Sequence, residues 1–164
     1  MTPFWPASLD WPSAIGNFIL SYGVLDWHVF VFLESRLPPD QFAKIKNEPF
    51  QNRIARVQTH VQDGPNSSDQ KDAFARFFAR LEPIRKLRNH IAHGHLLFRA
   101  AEVGKTPVLT LALPKNLDAN YDTETRHLEF TELTSALGEL TALIKEFQDL
   151  SGGWRDEAPP GNHP

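Results

Sequence analysis

The sequence predicts a mainly α-helical protein: a four-helix bundle with a small antiparallel β insertion before its last helix. Apolar residues recur every three or four positions along four segments, which is typical of helices that bury one face. After Gly94 the pattern changes to short apolar runs typical of strands. A chain of 164 residues is long enough for one domain with a core. We expect this domain over residues 1–153, the insertion at about 95–130, and a flexible tail over 154–164.

The first predicted helix runs from Pro12 to Arg36. Its apolar stripe consists of Ile15, Phe18, Ile19, Tyr22, Leu25, Val29, Phe32 and Leu33. Pro38 and Pro39 cannot continue a helix and are predicted to end it. Asp40 is the predicted N-cap of a short helix through Ile45.

A second predicted helix starts at Asn47 and Pro49, so this part of the bundle should be split near Pro49. Its stripe consists of Phe50, Ile54, Val57 and Val61. The segment 63–69 is a loop by composition and ends in several possible N-caps.

The third helix should run through Pro83, with a kink, because the apolar register holds on both sides of the proline. Its stripe consists of Phe74, Phe77, Phe78, Leu81, Ile84, Leu87 and Ile91, and Gly94 is its predicted stop. Strands are predicted at 95–100, 107–113 and 126–130, with a turn at 103–105. Thr131 is the predicted cap of the last helix, whose stripe consists of Leu133, Leu137, Leu140, Ile144 and Phe147.

Composition limits the class of protein. The chain has no cysteine, which excludes disulfides, thiolate zinc sites and cysteine nucleophiles and suits a reducing compartment. No basic segment leads into an apolar run at the N-terminus, so we expect a cytoplasmic protein without a membrane anchor. A net charge of -3 argues against a surface built throughout for RNA or DNA phosphates. Between Arg76 and Arg88, however, five basic residues face one acid, Glu82.

The candidate site is the segment Leu87–Gly94, at the end of the third predicted helix. At about 100° per residue, Ile84, Leu87 and Ile91 fall on the buried stripe, and Asn89 and His93 on the opposite side. Arg88 falls at the edge, where its stem can lie on apolar surface while the guanidinium reaches out.

An arginine, an asparagine and a histidine so placed suit RNA cleavage in which a 2′-hydroxyl attacks the adjacent phosphorus. An imidazole can transfer the proton, a guanidinium can stabilise the developing phosphoryl charge, and an amide can orient either partner. This scheme requires no metal and no cofactor. The Arg-to-His spacing alone is weak evidence, because several such pairs occur in this chain.

The fuller segment Arg88-Asn89-His90-Ile91-Ala92-His93 resembles the signature of the HEPN superfamily, and the helical layout of residues 12–150 is similar to that family's bundle. The resemblance implies a homodimer with two motifs facing one cleft and, in many members, metal-independent endoribonuclease activity. By position, Arg88, Asn89 and His93 match the catalytic residues.

Five further residues are predicted to assist or to bind RNA: Arg85, Lys86, His90, His95 and Asp26. Asp26 lies in the apolar stripe of the first helix, and a buried carboxylate needs a partner. Arg88 is the first candidate for that partner. The interpretation also includes a cognate antitoxin or regulatory protein, if the chain is a toxin or defence effector of a prokaryotic system.

Other interpretations remain open. A catalytically inactive HEPN module could bind RNA or protein, and the chain could be a structural dimer without RNA contact. The histidines His90, His93 and His95 could hold a divalent metal or simply cap the helix. The overall acidity favours the inactive module, whereas the complete motif favours the ribonuclease.

Overall fold

The computed structural model describes residues 10–93, 95–99, 108–114 and 123–152. The helices of this part are α1 Trp11–Arg36, α2 Pro39–Ile45, α3 Phe50–Asp63, α4 Ser68–His93 and α5 Phe130–Leu150. The strands are β1 His95–Arg99, β2 Val108–Pro114 and β3 Thr123–Leu128. A mainly helical chain with a small antiparallel sheet before its last helix is therefore confirmed. The predicted tail, 154–164, lies outside the described residues.

The core lies where the four longer helices meet. α1 packs most extensively against α5, α5 also packs on α4, and α3 contacts both α1 and α4. The apolar stripes predicted for α1 and α4 supply half of the buried apolar residues, and the largest side chains at the centre are Trp11, Phe18, Phe74, Phe77 and Phe147. Burial of these aromatic rings accounts for much of the stability of the bundle.

α1 has one face in this core and another in solvent. By length and apolar composition alone α1 could cross a membrane, but the core helix of a soluble protein can have the same length and composition. Phe18, Leu25 and Val29 on its inner face are completely buried. The length and composition of α1 are thus weak evidence for a membrane span.

The first three helices are started by different residues: a side-chain cap precedes α1, and prolines stand at the starts of α2 and α3. Asp10 caps α1, accepting a hydrogen bond from the N–H of Ser13 at 3.1 Å. α2 starts at Pro39 and α3 directly after Pro49, without a side-chain cap in either case. The predicted starts at Asp40 and Asn47 were therefore wrong. In α2, Pro39 already has the φ of a first helical residue and needs no cap for its missing N–H. In α3, the extended backbone of Pro49, with ψ 152°, keeps the chain out of the helix until Phe50. The division of the chain near Pro49 is confirmed.

α4 carries the candidate motif and continues across Pro83 to His93. Its first turn is capped by Ser67, whose Oγ accepts from the N–H of Gln70 at 3.2 Å. The predicted stop, Gly94, and the predicted turn at 103–105 lie outside the described residues.

The sheet has the order β1-β2-β3, antiparallel throughout. Strand β2 packs against α4, with Leu109 and Leu111 buried. β3 begins at Thr123, three residues before the predicted start, because its first residues pair with the end of β2. Thr131 was wrongly predicted as a cap: it lies inside α5, which starts at Phe130 after Glu129 and has no side-chain cap.

Candidate functional site

A cleft of about 560 Å³ opens between α1, the start of α3 and the last turns of α4. It brings together five of the eight residues predicted from sequence, namely Asp26, Arg85, Arg88, Asn89 and His93. Tyr22, Phe50, Gln51 and Arg53 also line it. Another cavity of similar volume lies between α2 and α3 and includes none of the predicted residues.

The helical register of α4 explains why the three motif residues share this cleft. The face of α4 that packs into the bundle carries Ile84, Leu87 and Ile91, which are buried as predicted. The motif residues lie beside this face. Arg88 and Asn89 are half-buried at the edge of the core, and His93 is exposed at the last residue of α4. The motif therefore combines a sheltered guanidinium with an imidazole open to solvent.

Arg88 is held by two uncharged groups. Its guanidinium lies 5.5 Å from the centre of the Tyr22 ring, and its Nη1 donates to Oδ1 of Asn89 at 3.4 Å. Among the described residues, no carboxylate lies within ion-pair distance of Arg88. Its charge is therefore available to an anion in the cleft.

Asp26 does not pair with Arg88, which corrects the prediction. It forms an ion pair with Nη2 of Arg53. Arg53 is well placed for this contact because its side chain is only 12% exposed and its Nη1 also donates to the backbone oxygen of Glu48 at 2.6 Å. Asp26 thus compensates the charge of Arg53 and not that of Arg88.

Arg85 is also compensated. It donates from Nε and Nη2 to the two carboxylate oxygens of Glu82, each at 2.8 Å, and from Nη1 to Gln51 at 3.3 Å. The hydrogen bond from Arg85 holds the pKa of Glu82 below its usual range. Arg85 lines the cleft, but as part of an ion pair.

The basic run from Arg76 to Arg88 is largely neutralised in the fold. Arg80 pairs with Glu139, at 2.7 Å, and with Glu146, both on α5. Glu82 lies 3.6 Å from Nζ of Lys86 in addition to its contact with Arg85. Arg80 therefore links α4 to α5, and Arg85 and Lys86 are compensated within α4, so the run does not form a continuous positive surface.

Three predicted auxiliary residues are not among those that line the cleft. Lys86 extends into solvent with a 63% exposed side chain. His90 uses Nδ1–H to donate to the backbone oxygen of Lys86 at 2.8 Å. His95 begins β1, and its side chain lies outside the described part of the chain. An auxiliary role for these three stays a prediction.

Tyr22 lines the cleft next to Arg88. The residue is 6% exposed, and its ring meets that of Phe50 edge-on at 5.0 Å. Burial raises the pKa of the Tyr22 hydroxyl, partly offset by the nearby charge of Arg88. The phenol therefore stays neutral at any pH at which the protein would act.

A metal centre has no support in the described residues, which contain no group of three or more His, Asp or Glu side chains placed to hold an ion. The alternative with His90, His93 and His95 also involves a side chain that lies outside this part. It stays a prediction for which removal of divalent ions is the test.

Sequence reasoning did not assign roles to Tyr22, Arg53 or Gln51. A signal existed for Arg53, which lies three residues after Phe50 and four before Val57, on the edge of the apolar face of α3. The stacking of Arg88 on Tyr22 joins residues 66 positions apart and follows from helix packing, which no local pattern reveals.

Comparisons with family models, with curated proteins and with solved structures give no match for this chain.

Proposed function

We propose that this protein is a metal-independent endoribonuclease of the HEPN type that acts as a homodimer. The observation that supports the proposal is the cleft that gathers Arg88, Asn89 and His93, with the charge of Arg88 uncompensated by any described carboxylate. A permanent cation next to an exposed imidazole is the combination that cleavage of an RNA phosphodiester needs.

In the proposed reaction the 2′-oxygen of a ribose attacks the adjacent phosphorus and the bond to the 5′-oxygen of the next nucleotide breaks. His93, or its counterpart in the second copy, takes the proton of the 2′-hydroxyl or supplies the proton that the leaving oxygen gains. Arg88 stabilises the additional negative charge on the phosphoryl oxygens. Asn89, in contact with Arg88, positions the guanidinium. The products are a 2′,3′-cyclic phosphate and a 5′-hydroxyl.

The outer face of α1 supports the homodimer. Leu20, Val24 and Trp27 lie on adjacent turns and are exposed by 71%, 47% and 56%. Exposed apolar side chains that cluster on one face mark interaction surfaces. The helix carries no charged residue between Asp10 and Asp26, so two copies can approach here without repulsion. Ile19 and Gly23 of the same helix line the cleft, which places this face beside the site.

In the cell the ribonuclease would act in the cytoplasm as the toxin or defence effector of a prokaryotic system, controlled by a cognate antitoxin or regulatory protein. The absence of cysteine suits that compartment.

The second candidate is an inactive HEPN module that binds RNA or protein. The neutralised basic run of α4 and the net charge of -3 favour the protein-binding form of this module, because tight RNA binding depends on several free cations.

The test is incubation of wild type, His93→Ala and a matched control, His127→Ala, with total RNA and with tRNA in EDTA. His127 is exposed on β3 and does not line the cleft. Cleavage by wild type and the control but not by His93→Ala supports the ribonuclease. Retained RNA binding without cleavage by any of the three supports the module. Cleavage that EDTA abolishes supports the metal alternative.

A further inference from the structure

The three arginines of the cleft are held in different ways. Arg53 and Arg85 are each bound by a carboxylate, from Asp26 and Glu82. Arg88 is instead in contact with the Tyr22 ring and the Asn89 amide, both of which are uncharged. Arg88 is also the residue that, in the proposed reaction, stabilises the negative charge developing on the phosphoryl oxygens.

An uncharged partner affects the charge and the N–H donors of a guanidinium differently from a carboxylate. A carboxylate orients a guanidinium but also cancels its field and competes with a phosphate for its N–H donors. The face of an aromatic ring attracts a cation through the ring quadrupole and uses none of these donors. The contact with Tyr22 therefore orients Arg88 without cancelling its charge and without using any of its N–H donors, of which Nη1 is in contact with Asn89.

Tyr22 is itself well fixed. Its ring is almost completely buried and packs edge-on against Phe50 at the start of α3. Tyr22 belongs to α1 and Arg88 to α4, so the contact joins two helices that border the cleft. A rigid ring of this kind is suited to restricting a long arginine side chain.

We infer that Tyr22 is a positioning residue that holds the guanidinium of Arg88 over its ring, so that the free charge is presented to an anion in the cleft. The identification of that anion as an RNA phosphate rests on the proposed function. The ring carries this role and the hydroxyl does not, since the contact of Arg88 is with the ring.

The contact itself is tested on the wild-type protein by NMR, without any RNA. A guanidinium over a ring places the δ-methylene and Nε protons of Arg88 in its ring current, so these resonances should lie upfield of those of exposed arginines such as Arg76. Unshifted Arg88 resonances would overturn the inference, and this readout does not depend on the folding of a variant.

The consequence for binding is tested with two substitutions, Tyr22→Phe and Tyr22→Leu, and an RNA whose 2′-hydroxyls are replaced by hydrogen so that it cannot be cleaved. Tyr22→Phe keeps the ring and should bind within about twofold of wild type. Tyr22→Leu should bind about fivefold more weakly, which corresponds to the loss of one cation–π contact. Equal weakening by both variants would assign the effect to the hydroxyl and contradict the inference.

The same measurement in an Arg88→Ala background separates positioning from general packing. If Tyr22 acts through Arg88, Tyr22→Leu has no further effect there. A second fivefold loss in that background would mean that Tyr22 has only a structural role. Upfield Arg88 resonances together with no RNA binding by wild type would contradict the proposed function while supporting the contact.

Discussion

Arg88 and the other two arginines of the cleft differ in the groups that hold them. Where a carboxylate is present, the guanidinium joins helices, as Arg53 joins α3 to α1 through Asp26. Where the partners are uncharged, they do not compensate the charge of the guanidinium, as at Arg88. This difference is the reason why we propose Arg88, and not Arg53 or Arg85, as the arginine that serves a ligand.

Arg88→Ala should lower the rate of RNA cleavage by about a hundredfold or more, because the charge that develops in the transition state loses its nearest cation. The matched control is Arg76→Ala, which removes an exposed arginine from the same helix. The measurement is single-turnover cleavage in EDTA. Equal rates for Arg88→Ala and Arg76→Ala would contradict the role of Arg88.

Asp26→Asn should destabilise the protein by about 1–2 kcal/mol, because it leaves the largely buried Arg53 without its counter-charge. The value is below that of a fully buried pair since the Asp26 side chain is 32% exposed. Glu48→Gln is the control: it breaks the pair with the exposed Arg56 and should cost less than about 1 kcal/mol. Urea unfolding measures both, and equal costs would mean that the Asp26 pair is worth no more than a surface pair.

The candidate site could be predicted from sequence to the extent that one helix determines it. Arg88, Asn89 and His93 lie on one segment, so the period of α4 was sufficient to place them beside each other. The partner of Asp26 could not be predicted in this way. The helical angle showed that a carboxylate faces inward, but the choice between Arg53 and Arg88 depends on how α3 and α4 pack on α1.

At the scale of the elements, apolar spacing predicted the helices well and capping residues predicted their ends poorly. The stripes of α1 and α4 are buried as expected, except for Ile15, Ile19 and Phe78, which are partly buried. The ends failed where proline or tertiary pairing decided them, as at Pro39 and at the start of β3. A local cap contributes only about 1 kcal/mol, so packing of a whole helix readily shifts a boundary by a few residues.

The packing of α1 on α5 should make stability depend on pH through His28. Its Nε2 accepts from the Gln148 amide at 3.0 Å, and desolvation lowers the pKa of His28 in the folded state. The unfolded chain therefore binds a proton first as pH falls below about 6.5, and folding free energy is lost from there downward.

His28→Gln removes this titration while keeping a polar group for Gln148. The free energy of unfolding, measured in urea between pH 7.5 and 5, should fall less steeply with decreasing pH in the variant than in wild type. Above pH 7 the difference between the two proteins should stay constant. Identical slopes down to pH 5 would show that His28 does not titrate differently on folding.

At the scale of the whole molecule, the proposed site depends on a second copy. The exposed face of α1, whose most exposed apolar residue is Leu20, is the surface through which we expect the copies to meet. Leu20→Glu places a charge from each copy at that contact and should shift the protein from dimer to monomer at micromolar concentration. Ser135→Glu adds the same charge to an exposed position of α5 and should leave the dimer intact.

Light scattering after size-exclusion chromatography measures the mass of both variants and of wild type. A wild type that is monomeric at every concentration would remove the homodimer from the proposal. A Leu20→Glu variant that remains a dimer would place the interface on another face of the molecule.

The most direct measurement of the proposed chemistry is the fate of one phosphodiester in a short RNA of defined sequence that the wild type cleaves, compared with the same RNA carrying 2′-deoxyribose on the 5′ side of that bond. In EDTA we predict that wild type cleaves the first and not the second, leaving a 2′,3′-cyclic phosphate and a 5′-hydroxyl, and that His93→Ala cleaves neither. Cleavage of the deoxy-substituted RNA, or products with a 5′-phosphate, would contradict attack by the 2′-hydroxyl and with it the roles assigned to Arg88, Asn89 and His93.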